Sequence, residues 1–142
     1  MNILPAISVT SDALAAEKTR LDVIGQNIAN ANTTRGPDGL PYQRKMVTFE
    51  TQLHAVTGAG ADDLSTRTGV RVASIQSDRT PGASIFNPGH PHADENGLVH
   101  MPNVNLQTEM VDLITASRSY EANLSVVRTA RQMAQRAMAI GR

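Results

Sequence analysis

The chain has 142 residues and a mass of 15.2 kDa, a length that suits one modest domain rather than several. Its 13 lysines and arginines balance 13 aspartates and glutamates, which excludes a globally polyanion-seeking protein. With no cysteine and an aromatic content of 3%, it has no disulfide framework, zinc–thiolate site or thiol nucleophile, and little material for base-stacking or sugar-binding platforms.

The first five residues show no basic run leading into an apolar h-region, so a cleaved secretory signal is not expected. No stretch approaches the roughly 18 consecutive apolar residues of a membrane-spanning helix. Ile7, Leu14, Leu21 and Ile28 recur seven apart, with Ile24 and Ala31 three residues past the last two. This spacing predicts an amphipathic helix with heptad character, ending near Asn32. Ser8, Ser11 or Asp12 would cap or charge its start. Thr10 and Glu17 break the seam, and Gly25 costs about 1 kcal/mol relative to alanine. Asn27 and Asn30 lie three apart beside the seam, where amides can hydrogen-bond across an interface and fix its register. The same spacing also fits a fraying polar helix end.

The middle of the chain reads as short strands and turns. Gly36-Pro37-Asp38-Gly39 is a turn, residues 42–49 a strand, and residues 57–63 a Gly- and Ala-rich loop. Further strands are predicted over 70–75 and 84–86. Asn96-Gly97 predicts a type I′ hairpin joining 92–95 to 98–101.

From about Asn105 to Ile140 the pattern becomes helical again. Leu106, Met110, Leu113, Ser117, Tyr120, Leu124, Val127, Ala134 and Met138 form one heptad stripe, interrupted by Arg131. Val126, Ala130, Met133, Ala137 and Ile140 form a flanking one, so this helix has apolar surface for more than one neighbour. Glu109 and Asp112 near its start, with Arg128, Arg131, Arg136 and Arg142 near its end, match the helix dipole. The expected fold class is α+β. Residues 1–34 and 105–142 would pair as a coiled-coil-like helical domain, with a small β-rich domain of residues 35–104 inserted between them. A helix of about 36 residues is roughly 54 Å long, whereas a globule of this chain length is only about 37 Å across. Apolar surface therefore stays uncovered even after the helices pair, which is the pattern of an assembling subunit.

Catalytic signatures are absent: there is no Gly-x-Ser-x-Gly elbow, phosphate-binding loop, His-Glu-x-x-His or dinucleotide fingerprint. The best candidate cluster is His90, His92, Asp94 and Glu95 with His100 nearby, because imidazoles and carboxylates ligate metals. The competing reading is a solvated turn stabilised by Asp94 and Asn96. The arginines of the last helix spread around it, as expected of a solvated or salt-bridging face rather than a nucleic-acid contact. Asn32-Thr33-Thr34 and Asn123-Leu124-Ser125 fit a glycosylation sequon too short and common to carry weight. No enzyme activity, cofactor, metal, nucleic acid or small-molecule substrate is expected.

The run Leu21-Asp22-Val23-Ile24-Gly25-Gln26-Asn27-Ile28-Ala29-Asn30-Ala31-Asn32-Thr33-Thr34 resembles the N-terminal signature of flagellar rod, hook and hook-associated axial proteins. Three later segments make the resemblance specific to proximal-rod proteins: Gly36-Pro37-Asp38-Gly39-Leu40-Pro41-Tyr42, Asn87-Pro88-Gly89-His90-Pro91-His92-Ala93-Asp94, and the stretch from Gly97 to Asn105. Glu109-Met110-Val111-Asp112 and Ala116-Ser117-Arg118-Ser119-Tyr120-Glu121-Ala122-Asn123 extend it into the last helix, so it covers essentially the whole chain. The resemblance implies a bacterial axial protein, exported by the flagellar type III apparatus without a cleaved signal and polymerised into the cell-proximal rod. It further implies that the terminal helices line the tube and the β element lies outside it. The expected partners are other rod proteins, further copies of the chain, the export apparatus and the MS-ring region. The assembly residues would be Ile7, Leu14, Leu21, Ile24 and Ile28 facing Leu106, Met110, Leu113, Tyr120, Leu124, Val127 and Met138, within a subunit or across neighbours. Asn27, Asn30, Asn32 and Thr33 would set the register. A non-polymerising helical adaptor, or a hydrolase using His90, His92 and Asp94, are the alternatives.

Overall fold

The computed structural model describes residues 4–54 and 67–140. Helix α1 spans Leu4–Ala29 and helix α2 spans Leu106–Ile140, and between them lie strands β1 (Lys45–His54), β2 (Arg67–Ser77), β3 (Ser84–Phe86) and β4 (Leu98–His100). The architecture is α+β, two long terminal helices with a small antiparallel β region between them. No helix among the described residues is long and apolar enough to cross a membrane.

α1 is already helical at Leu4, the first described residue, ahead of its apolar repeat. Ser8, Ser11 and Asp12 lie inside the helix and do not cap it. At the other end, Ala31 N donates to Ile28 O and Thr33 N to Asn30 O, tightened turns that close the helix before Gly36-Pro37.

β1 pairs with β2 as an antiparallel hairpin from Lys45↔Ser77 to His54↔Arg67, with an irregularity between Thr48 and Phe49. Glu50 and Arg71 are direct register partners and form a cross-strand ion pair. The strand expected over 42–49 starts only at Lys45, because the preceding backbone is bonded elsewhere: Tyr42 N donates to Thr33 O and Arg44 N to the Asn103 side chain. The predicted loop at 57–63 lies outside the described residues.

The second β unit departs from expectation. β4 pairs with β3, through Ser84↔His100 and Phe86↔Leu98, and residues 92–95 form no strand. Asn96 and Gly97 are not the central pair of a two-residue turn. Instead Gly97 N donates to Asp94 O, Asp94 N to Leu98 O, and Gly97 takes a φ of 73°. The Gly36–Leu40 loop repeats this pattern: Gly39 N donates to Gly36 O, Gly36 N to Leu40 O, and Gly39 has a φ of 75°. Both are four-residue turns that end on a left-handed glycine, which re-aims the returning backbone. The Asp94 carboxylate accepts the Asn96 and Leu98 N–H groups. Those bonds, the one from Leu98 foremost, hold its pKa below the usual carboxylate value.

α1 packs against α2 and against both strands of the long hairpin. The apolar core is thin: Ala16, Val23, Ile24, Val99 and Ala116 are its buried members. Where β3 enters, space is also tight. A Cβ at Gly82 would stand 2.0 Å from Met101 O, beside the Met101 N to Ala83 O bond of 2.8 Å. Because the obstacle is backbone, Gly82→Ala is expected to destabilise the fold by about 2–3 kcal/mol in urea unfolding; a change within experimental error would show that β3 can shift freely.

Candidate functional site

The most buried large side chains are polar. Asn27 on α1 and Glu109 on α2 are each 1% exposed, and they meet where the end of one helix lies beside the start of the other. The helices therefore run antiparallel.

Asn27 uses its whole hydrogen-bonding capacity. Its Oδ1 accepts the Tyr42 hydroxyl and Lys45 N, both at 2.9 Å, while Nδ2 donates to Lys45 O at 2.8 Å and to Glu109 Oε2 at 3.0 Å. Toward β1 the side-chain amide acts as one rung of a neighbouring strand, satisfying the N–H and C=O of Lys45 on the edge that β2 leaves free.

Glu109 completes the joint. Its Oε1 accepts Arg44 Nε at 2.5 Å, and Arg44 Nη2 lies 3.5 Å from Asp112 Oδ2. The Arg44 backbone is held on both sides: its N donates to Asn103 Oδ1 at 2.7 Å, and its O accepts Asp78 N at 2.7 Å. Asn103 Nδ2 in turn donates to Asp78 O at 3.0 Å. Asn105 caps α2 by accepting from Gln107 N and Thr108 N, which sets Glu109 in the first turn, where the helix dipole favours a carboxylate. Burial and the Glu109 charge together push the Tyr42 phenol above its usual pKa, burial being the larger cause.

This network is a structural clamp. Its carboxylate is neutralised by a guanidinium and its amide is fully bonded, so it offers neither a free base nor a nucleophile. An open cleft beside it is lined by Arg20, Val23, Ile24, Phe49, Arg44 and Asp112.

The other sequence candidates are distributed as follows. Ile24 is buried; Leu14, Leu21, Ile28, Leu113, Tyr120, Leu124 and Val127 are half-buried along the helices; Leu106, Met110 and Met138 are exposed. Ile7 lies in α1, but its side chain is outside the described residues. Asn30 is local, donating to Gln26 O and accepting Thr33 Oγ1, and Asn32 is exposed. The histidines make turn contacts: His92 N donates to His90 Nδ1, His92 Nδ1 pairs with Thr34 Oγ1, and His100 lies by Ser84 and Asp94. Among the described residues no three metal-ligating side chains converge, and the hydrolase alternative finds no support. Tyr42 and Arg44 were not legible in the sequence as partners of Asn27 and Glu109, nor was Asn103 as the partner of Arg44. The traces were the amide of Asn27 beside the seam and an acid at Glu109, four residues ahead of Leu113 on the inward face.

Two terminal helices clamped around a β insertion define an axial-type structural subunit, and the comparisons with known proteins agree. Residues 7–37 match the family model "Flagella basal body rod protein", and residues 95–140 match "Flagellar basal body rod FlgEFG protein C-terminal". A flagellar basal-body rod protein FlgC of Borreliella burgdorferi is 42% identical, with 99% of this chain and 98% of that protein aligned. The FlgC of Salmonella typhimurium is 40% identical over 99% of both chains, and that of Bacillus subtilis 33% identical over the full length of both. The chain belongs to the FlgC family of flagellar basal-body rod proteins. It is a structural rod subunit and not an enzyme.

The clamp has a spectroscopic signature, since the chain has two tyrosines and no tryptophan. In a Tyr120→Phe background, tyrosinate absorbance should report Tyr42 with a midpoint above the ordinary 10.0, and Glu109→Gln should lower that midpoint. Stability from neutral Tyr42 is complete below pH 10 and is lost as pH rises through the raised folded value. A Tyr42 midpoint at or below 10 would contradict the geometry.

Proposed function

We propose that the chain polymerises through its terminal helices into the cell-proximal rod, forming part of the tube that transmits torque and encloses the export channel. In this reading residues 1–34 and 105–142 are the axial core and residues 35–104 an outer β-rich domain. The chain leaves the cytoplasm through the flagellar export apparatus without a cleaved signal and meets other rod proteins, and the MS-ring region, in the basal body.

The observation that carries the reading is the coexistence of a clamped helix pair with large apolar side chains left in solvent. Met110, Val126, Met133 and Met138 are all exposed on α2, Met138 at 69%. Burying one such side chain contributes about 1.5–3 kcal/mol, so a row of them favours assembly. A rod grows by heterologous contacts that do not close into a ring, each subunit offering one surface to the next. Leu106, Met110 and Met138 are assigned to contacts between subunits, and Leu14, Leu21, Ile24, Ile28, Leu113, Tyr120, Leu124 and Val127 to the seam along the helix pair. Asn27 fixes the register at its closed end through Glu109, and Asn30, Asn32 and Thr33 are assigned to the register between subunits.

Because Met138 is exposed in the single chain, Met138→Asp should leave the helix content of the purified protein unchanged. In cells that depend on this chain it should abolish motility and incorporation into basal bodies. Normal swarming by that variant, or recovery of the chain only in a discrete one-to-one complex, would count against a polymerising subunit.

A further inference from the structure

The faces of α1 and α2 turned away from the chain's own core carry a second pattern. On α1, Ala15, Lys18, Asp22, Gly25 and Ala29 recur at intervals of three and four, and all are exposed. On α2, Val111, Ile114, Arg118, Glu121 and Ser125 recur in the same way and are also exposed. Such alternation keeps each set on one stripe of its helix.

Laid antiparallel, the two stripes match at a single register. Ala29 falls opposite Val111 and Gly25 opposite Ile114, so short side chains receive branched ones. A Cβ at Gly25 would meet nothing within 4 Å in the single chain, leaving room there for a neighbour. At the same register Asp22 falls opposite Arg118 and Lys18 opposite Glu121, two charge pairs of opposite sense. None of these four charged groups has an ion-pair partner among the described residues.

We propose that the outward face of α1 in one copy docks on the Val111–Ile114–Arg118–Glu121 face of α2 in the next copy, in this antiparallel register. The proposal rests on the polymer reading above and names the surfaces that carry its lateral contact. It is heterologous, because each copy presents the α1 face to one neighbour and the α2 face to another. Within one chain Asn27 sits beside Glu109, whereas the docked register sets Gly25 beside Ile114 of the next copy. Neighbouring copies are therefore displaced by three to four residues, roughly 5–6 Å, along the helix axis.

The test is a charge exchange in cells whose only source of this chain is the tested variant. Asp22→Arg should lose basal-body incorporation and motility, because it opposes two arginines. Adding Arg118→Asp in the same chain should restore both, since every copy uses both faces. Circular dichroism of the purified variants should match the parent. Full assembly by Asp22→Arg, or no recovery in the double variant, would overturn the proposed contact. A second readout uses the absence of native cysteine: copies with Gly25→Cys and copies with Ile114→Cys, coexpressed and oxidised in assembled basal bodies, should give a disulfide-linked dimer. Assembly with no such dimer would overturn this contact while leaving the polymer reading intact. Failure of the unsubstituted chain to assemble would overturn both.

Discussion

One buried polar joint holds the molecule together. The Asn27 amide binds the first rung of β1 and the Glu109 carboxylate of α2, and Glu109 in turn binds Arg44, whose backbone is tied to Asp78 and Asn103. Apolar burial alone is a weak alternative, since four of the five buried core residues among the described ones, Ala16, Val23, Val99 and Ala116, are small or short. A satisfied buried network is directional where a small apolar core is not. Breaking a buried ion pair by removing one partner typically costs about 3–5 kcal/mol, because the other charge is left without compensation. The angle of the hairpin and the register of the helices are thus coupled through one set of bonds.

That coupling suits a subunit whose helices must keep more than one face available. The inward faces meet along a partly buried seam running from Ile24 and Leu113 toward Val127. Clamping them at one end leaves the outward faces and the distal part of α2 free for neighbours. A free-standing globule would bury Met110, Val111, Ile114 and Met133; here all four are exposed. The turns ahead of β1 and β4, by contrast, are tight and self-sufficient. Both five-residue loops close on themselves through the same pair of backbone bonds and a left-handed glycine.

Helices, strands and overall order were legible in the sequence because they follow from period and from glycine and proline punctuation. Seven-residue spacing located both helices, and Ser84–Phe86 was placed as observed. The register of the joint was not legible, since its partners are 15 to 82 residues apart and none forms a local motif. Asn27 stood out only as an amide beside a seam, and Glu109 only as an acid near a helix start. The Asn96-Gly97 pair misled for a definite reason. Asp94, two positions before Asn96, captures two backbone N–H groups with its carboxylate and shifts the turn, and β4 pairs with β3. Ser8 to Asp12 read as caps from the apolar repeat alone, whereas the helix already runs through them from Leu4.

The central claim, that Asn27 and Glu109 couple the hairpin to both helices, is tested most directly by residue-resolved hydrogen exchange on the full chain carrying Asn27→Ala. The informative amides are those that never touch Asn27: the β1–β2 ladder around Met46 and Gln76, and α2 around Ala116. The account predicts that these two groups lose protection together and by a similar factor, because one opening event exposes both. Loss confined to Lys45 and its immediate neighbours, with the ladder and α2 as protected as in the parent, would contradict it.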